Sequence, residues 1–174
     1  ITCPPQLQDM LVFLLNSWSF DGKKLVISKS SCADTRTCDY TKVSKDELLQ
    51  QSKQHIGDVE LGLLYLIAKL RKASEEHDKT KISEIDHFHS NFRTGFKDTE
   101  WWKMHQKEER HHFNSPEFIQ EDINLIDVLE QIVDGVMAGL ARSGEYRYEP
   151  LSSELLQKAY ENTAKMLINN VEVL

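Results

Sequence analysis

The chain reads as an all-α protein: a helical bundle behind a short N-terminal appendage. Three observations predict it. Apolar residues recur at three- and four-residue spacing through Leu48–Leu70, Ile123–Met137 and Leu155–Leu167, the period of one face of an α-helix. Helix punctuation stands where such segments begin and end, as at Ser44 and at Ser143-Gly144. One short β-favouring run, Lys24–Ser28, interrupts the pattern. With 174 residues, 40% of them hydrophobic and 28% charged, the chain has the size and composition of one ordinary globular domain that buries a core without disulfide staples.

Taken in order, Pro4-Pro5 can open a first helix whose Leu7, Leu11, Leu14 and Leu15 recur at helical spacing up to Trp18, before Asp21-Gly22 breaks it. Lys24–Ser28 then predicts strand, with a β-hairpin as one form, and Ser30–Tyr40 has the Ser, Thr, Asp and Cys content of a loop. Residues 1–40 therefore form the appendage and 41–174 the main domain. Cys3, Cys32 and Cys38 all lie in the appendage; the set is odd, contains no CxxC and predicts reduced thiols. Ser44-Lys45-Asp46-Glu47 is a capping box, a hydroxyl followed three residues later by a carboxylate, and it starts a long helix. Leu48, Val59, Leu63, Ile67 and Leu70 share a stripe, and His55 falls on it, which predicts an inward-pointing imidazole. Glu75-Glu76 sit badly at the negative end of a helix dipole, so the helix should end near His77-Asp78.

Ser83 can cap a short helix through Phe92; its His87 and His89 are two apart and read as surface or structural residues. Trp101–His112 reads as the next helix, started by Asp98 or Thr99, with His105, Glu108, Glu109 and His112 on one face. His111 and His112 cannot both face inward on a regular helix, although an end near Asn114-Ser115-Pro116 would let the second swing round. Asp122–Arg142 is a further core helix bearing Asp134, with Asp127 nearly on the same face as a supporting group. Ser152–Val171 closes the bundle.

Histidine beside aspartate at His77-Asp78 offers a nitrogen and an oxygen ligand from one backbone site. Around it the order is His55, His77-Asp78, His105, His111-His112, Asp134, and Asp134 begins the sequence Asp134-Gly135-Val136-Met137-Ala138. This order resembles the HD-domain superfamily of metal-dependent phosphohydrolases, whose closing DxxxA matches Asp134 and Ala138. Lys81 extends the pair to HDxxK, similar to the motif of the phosphodiesterase branch, with Thr80 where that branch carries glycine. From Thr41 onward the chain is most similar to small HD-type proteins of phages and bacteria. The resemblance implies an HD-domain-like helical bundle that gathers metal ligands from separate helices. It implies His55, His77, Asp78, His105, His111, His112 and Asp134 as ligands of one or two divalent transition ions, with Mn, Fe, Zn, Co and Ni all suited to mixed imidazole and carboxylate donors. Asp78 and Lys81 would be catalytic. Lys81, Arg110 and Arg142 would meet phosphate as charges, and Trp101 or Trp102 would stack a base.

A net charge of −7 argues against duplex nucleic acid as a partner, because phosphate binding wants a basic face. Small phosphorylated ligands, nucleotides first among them, stay open, since a metal supplies local positive charge. The apolar stretch Leu61–Leu70 is too short to span a bilayer and Leu11–Leu15 has no basic segment before it, so no membrane is expected and a cytoplasmic location is. Neither a GxGxxG nor a GxxxxGK[ST] loop occurs, nor HExxH, nor GxSxG. The expected function is a metal-dependent phosphohydrolase acting on a nucleotide or other small phosphate ester. The alternative is a degenerate HD-fold protein, such as a phage factor acting on host signalling, that binds a nucleotide or a protein partner without turnover.

Overall fold

A computed structural model of the chain describes residues 24–30, 32–97, 100–146 and 150–174; the expected helix over Pro4–Trp18 lies outside them, as do Asp98 and Thr99. The fold is predominantly helical: β1 (Leu25–Ile27), α1 (Lys45–Glu76), α2 (Lys79–Ser83), α3 (Ile85–Arg93), α4 (Glu100–Glu108), α5 (Leu125–Ser143), α6 (Ser153–Asn170) and β2 (Val171–Val173), with a 3₁₀ turn at Pro116–Phe118. No helix among the described residues is long and apolar enough to cross a membrane. The chain divides into two compact units, one containing the described residues up to Lys69 together with Met166–Leu174, the other Leu70–Lys165. The expected boundary at Tyr40 is therefore not where the compact units part.

In the first unit, β1 makes no hairpin among the described residues. It pairs in parallel with β2, Leu25 opposite Val171 and Ile27 opposite Val173, extended by Lys29 N–H to Leu174 O at 2.8 Å. A parallel partner has to come from a distant part of the chain, which is why the run Lys24–Ser28 has no second strand beside it in sequence. Cys32 and Cys38 form no disulfide with each other. The capping box at the start of α1 is formed as expected: Ser44 N–H donates to Glu47 Oε2 at 2.9 Å and Glu47 N–H to Ser44 Oγ at 3.2 Å.

The covered face of α1 is not the one expected. Leu48, Val59, Leu63 and Ile67 are exposed, while Gln51, Gln54, Asp58, Leu61 and Tyr65 form the covered stripe at the same helical spacing. The segment beside β1 decides this: Ser30 Oγ bonds Gln51 Oε1, and Gln54 Nε2 donates to Ser28 O. His55 falls outside that stripe and is exposed, which corrects the inward-pointing reading.

The second unit is built on a small core of Ile123, Val128 and Ala159, against which Phe113, Ile119, Leu125, Leu151 and Leu155 pack. Its polar backbone ends are answered by side chains. Leu125 N–H donates to Thr163 Oγ1 at 2.9 Å, and Asn162 Nδ2 donates to Ile123 O at 2.9 Å and Glu121 O at 3.0 Å, tying the start of α5 to α6. Helix α5 starts at a second capping box, Asn124 with Asp127, three residues later than the sequence predicts. It ends at Gly144, whose φ of 74° is the left-handed C-cap conformation that glycine accepts at no cost. Gly139 lets the chain fold back on α5, for a Cβ there would meet Glu145 O at 2.6 Å.

Candidate metal centre

Every residue of the candidate centre lies in the second unit. Helix α1 ends at Glu76, and Asp78 takes a left-handed conformation, φ 54° and ψ 25°, before α2 begins. Short polar side chains tolerate that region, so the chain turns here and delivers the His77 and Asp78 side chains together. From α5 come Glu130 and Asp134, four residues apart and hence on one face. Helix α4 supplies His105. It stops at Glu108, and this early end resolves the adjacent-histidine problem: His111 and His112 stand in the irregular turn beyond it, and both reach the centre.

The donor atoms converge on Asp78. His77 Nε2 lies 3.4 Å from Asp78 Oδ2 and 3.7 Å from Asp134 Oδ1. His105 Nε2 lies 3.4 Å and His111 Nε2 3.9 Å from Asp78 Oδ1, and the Nε2 atoms of His105 and His112 are 2.9 Å apart. His77, Asp78 and Asp134 form one set able to hold an ion, Asp78, His111 and His112 another, and His77, His111 and Glu130 a third, each with donor atoms within 4.8 Å of one another. Three buried atoms here, Asp78 Oδ1 and both ring nitrogens of His111, have no hydrogen-bond partner among the described residues. Unpartnered polar atoms facing one another in a buried site are costly unless a further group satisfies them. The spacings suit a cation: donors about 2.1 Å from a shared ion stand about 3.0 Å apart at right angles and about 3.4 Å apart at the tetrahedral angle. The residues therefore fit a divalent ion in both chemistry and geometry.

Glu130 organises two of the rings. Its Oε1 lies 2.9 Å from His77 Nδ1 and 3.0 Å from His111 Nδ1. Its hydrogen bond with His77 draws that ring's proton to Nδ1 and leaves His77 Nε2 facing Asp78 and Asp134, whereas His111 Nδ1 lies at ion-pair distance from the same oxygen without a hydrogen bond. Burial alone would raise the Glu130 carboxyl, but the bonds and charges of His111 and His77 outweigh it and hold the group below its usual range. Burial likewise opposes the charge on Asp78, and the neighbouring Lys81 ammonium with His77 and His105 more than offsets it. Burial and the nearby Lys81 charge press His105 down to about 4, and burial with His111 and His105 presses His112 down to about 3, so both rings are neutral and free to donate a lone pair at neutral pH. For His111 burial is outweighed by Glu130, Asp78 and Asp134, and its pKa rises.

A cleft of about 400 Å³ opens on the centre, lined by His111, His112 and Asp134 together with Lys81, Trp102, Asn114, Gln131, Arg142 and Tyr146. Lys81 Nζ is ion-paired with Asp78 Oδ2.

The other expected site residues fall elsewhere. His55, exposed on α1, belongs to none of the three ligand sets among the described residues. Trp101 is fully buried, stacked 4.4 Å from Phe88 and 4.8 Å from His105, and is core packing in place of the base platform expected of it. Arg110, expected at phosphate, is engaged within the fold: its guanidinium forks onto Asp127, at 2.8 Å from both carboxylate oxygens, and reaches Asp122 Oδ1 at 3.0 Å. Asp127 is thereby a buried cap and ion-pair partner, and not a support for Asp134. Sequence reasoning missed Glu130, whose signal was its four-residue spacing from Asp134, and Thr80, seen only as the occupant of a glycine position. No protein-family model, no curated protein and no solved structure matches this chain.

Proposed function

We propose that this protein is a metal-dependent phosphohydrolase of the HD type, acting on a nucleotide or other small phosphate ester. The observation that carries the reading is the convergence of His77, Asp78, His111, His112 and Asp134, three of which line the same cleft as two cationic side chains. Asp78, shared between two ligand sets, would bridge two sites, with Asp134 and His77 completing one and His111 and His112 the other. An ion held by these residues would supply Lewis acidity and bring the acidity of a water toward neutral pH. The chain's own groups do the rest. Lys81 and Arg142 meet phosphoryl oxygens and offset charge as it develops, and Trp102 and Tyr146 offer ring faces to an attached base.

One observation favours a second reading: the Lys81 ammonium sits on Asp78 as a built-in cation, an arrangement that serves a protein binding nucleotides without turnover. The experiment joins metal analysis with turnover. Purified protein should carry Mn, Fe, Zn, Co or Ni, and His77→Ala or Asp78→Ala should lower its content at least about tenfold, since each removes a direct ligand. Nucleoside mono-, di- and triphosphates, cyclic nucleotides and a chromogenic phosphodiester should include a substrate whose hydrolysis is abolished by chelator and by Asp134→Ala. Unchanged metal content in both ligand variants defeats the site. Metal without turnover, together with nucleotide binding that depends on Lys81, transfers the conclusion to the second reading.

A further inference from the structure

Thr80 is buried, and both of its hydrogen-bond donors point to one atom: its backbone N–H reaches Glu109 Oε1 at 3.0 Å and its hydroxyl donates to the same oxygen at 2.7 Å. A hydroxyl has a single hydrogen. The side of Thr80 Oγ1 that faces His105 Nδ1, at 2.6 Å, therefore offers only lone pairs. Two buried lone pairs at that distance repel, so the ring proton must lie on Nδ1 and bond to the hydroxyl. His105 Nε2 is then bare, and it is the atom that faces Asp78 Oδ1 at 3.4 Å and His112 Nε2 at 2.9 Å. The ring has little freedom to turn, because it is fully buried and stacked on Trp101 with 14° between planes.

We propose that Thr80 and Glu109 form a buried hydrogen-bond relay that fixes His105 as its Nδ1–H tautomer, so that Nε2 stands ready as a ligand beside Asp78. Both are positioning residues; neither touches the donor cluster except through His105. The tautomer follows from these hydrogen bonds alone, whereas ligation by His105 rests on the metal-centre reading above and goes one step beyond it, because none of the three ligand sets includes His105. The chain's departure at Thr80 from the glycine of the similar motif thereby acquires a purpose, because glycine has no hydroxyl to pass the Glu109 acceptor on to the ring. In the metal-free protein the same logic makes His112 the donor between the two facing Nε2 atoms.

The test uses full-length protein with nitrogen-15-labelled histidine, stripped of metal, in which long-range proton–nitrogen correlation spectra distinguish the two neutral tautomers. His105 should be protonated at Nδ1 in wild type and in Thr80→Ser, which keeps the hydroxyl. Thr80→Val, of nearly the same shape, should shift the population toward Nε2–H and weaken Mn²⁺ or Zn²⁺ affinity about 10- to 100-fold, the usual effect of removing a group that orients a ligand. Thr80→Ser should retain wild-type affinity. Finding Nε2–H in the wild type overturns the proposal without any variant, as does a Thr80→Val protein that keeps both the Nδ1–H tautomer and the affinity. If the wild type binds no metal, the metal reading fails while the spectra still decide the tautomer.

Discussion

Glu130 is a single carboxylate on which two rings depend, and its substitution separates orientation from ligation. Glu130→Gln keeps size and shape but removes a charge that accepts from His77 and lies 3.0 Å from His111 Nδ1, so metal affinity should fall about 10- to 100-fold with helicity unchanged, measured by titration against a chelating dye. Unaltered affinity would remove Glu130 from the centre. The two arginines expected at the phosphate should likewise part company. Arg110→Ala leaves Asp127 with only the Asn124 N–H of its capping box and should cost about 1–3 kcal/mol in urea unfolding. Arg142→Ala, at an exposed residue of the cleft, should change stability by less than about 0.5 kcal/mol and act on phosphate binding alone. His77, Asp78 and Asp134 were legible because a histidine–aspartate pair and a carboxylate among small residues are unusual in a helical pattern. Glu130 was not, since an acid in a helix ordinarily faces water and only the fold shows which ones do not. The exposure of His55 is not legible in sequence, because the apolar stripe of Leu48, Val59, Leu63 and Ile67 that it shares is itself exposed.

At the level of elements, starts and stops were readable where side chains answer backbone groups, as at Ser44, and less so where several caps compete, as at Asp122 and Asn124. The pairing of β1 with β2 was hidden, for short parallel strands far apart in sequence leave no local signal. The end of α4 at Glu108 was equally silent, and it decides that both His111 and His112 serve the centre. Helical glycines give a stability test of the described geometry. A Cβ at Gly57 meets nothing within 4 Å, so Gly57→Ala should stabilise by about 0.5–1 kcal/mol through helix propensity. At Gly139 the same change drives a methyl into the Glu145 carbonyl and should destabilise by about 1–3 kcal/mol despite that propensity. Thermal unfolding should therefore move in opposite directions for the two variants, by about 2–4 °C per kcal/mol. A rise for both would mean that Glu145 does not lie against α5.

For the whole molecule, the net charge of −7 means that the proposed anionic ligand would have to be received by local cations against an unfavourable overall field. An ion that binds the folded state stabilises it by about 2.7 kcal/mol at a hundred times its dissociation constant. Saturating Mn²⁺ or Zn²⁺ should thus raise the unfolding midpoint followed by tryptophan fluorescence, and chelator should reverse the shift. Absence of any shift would count against a structured metal centre in the native state. The division into units also sets an order of events during synthesis. The unit that carries the centre, Leu70–Lys165, is continuous in sequence, whereas the other must wait for Met166–Leu174 before β2 can join β1. On the ribosome the second half of the strand pair leaves the exit tunnel after every candidate ligand has done so. Every candidate ligand is therefore made before β1 has a partner with which to pair.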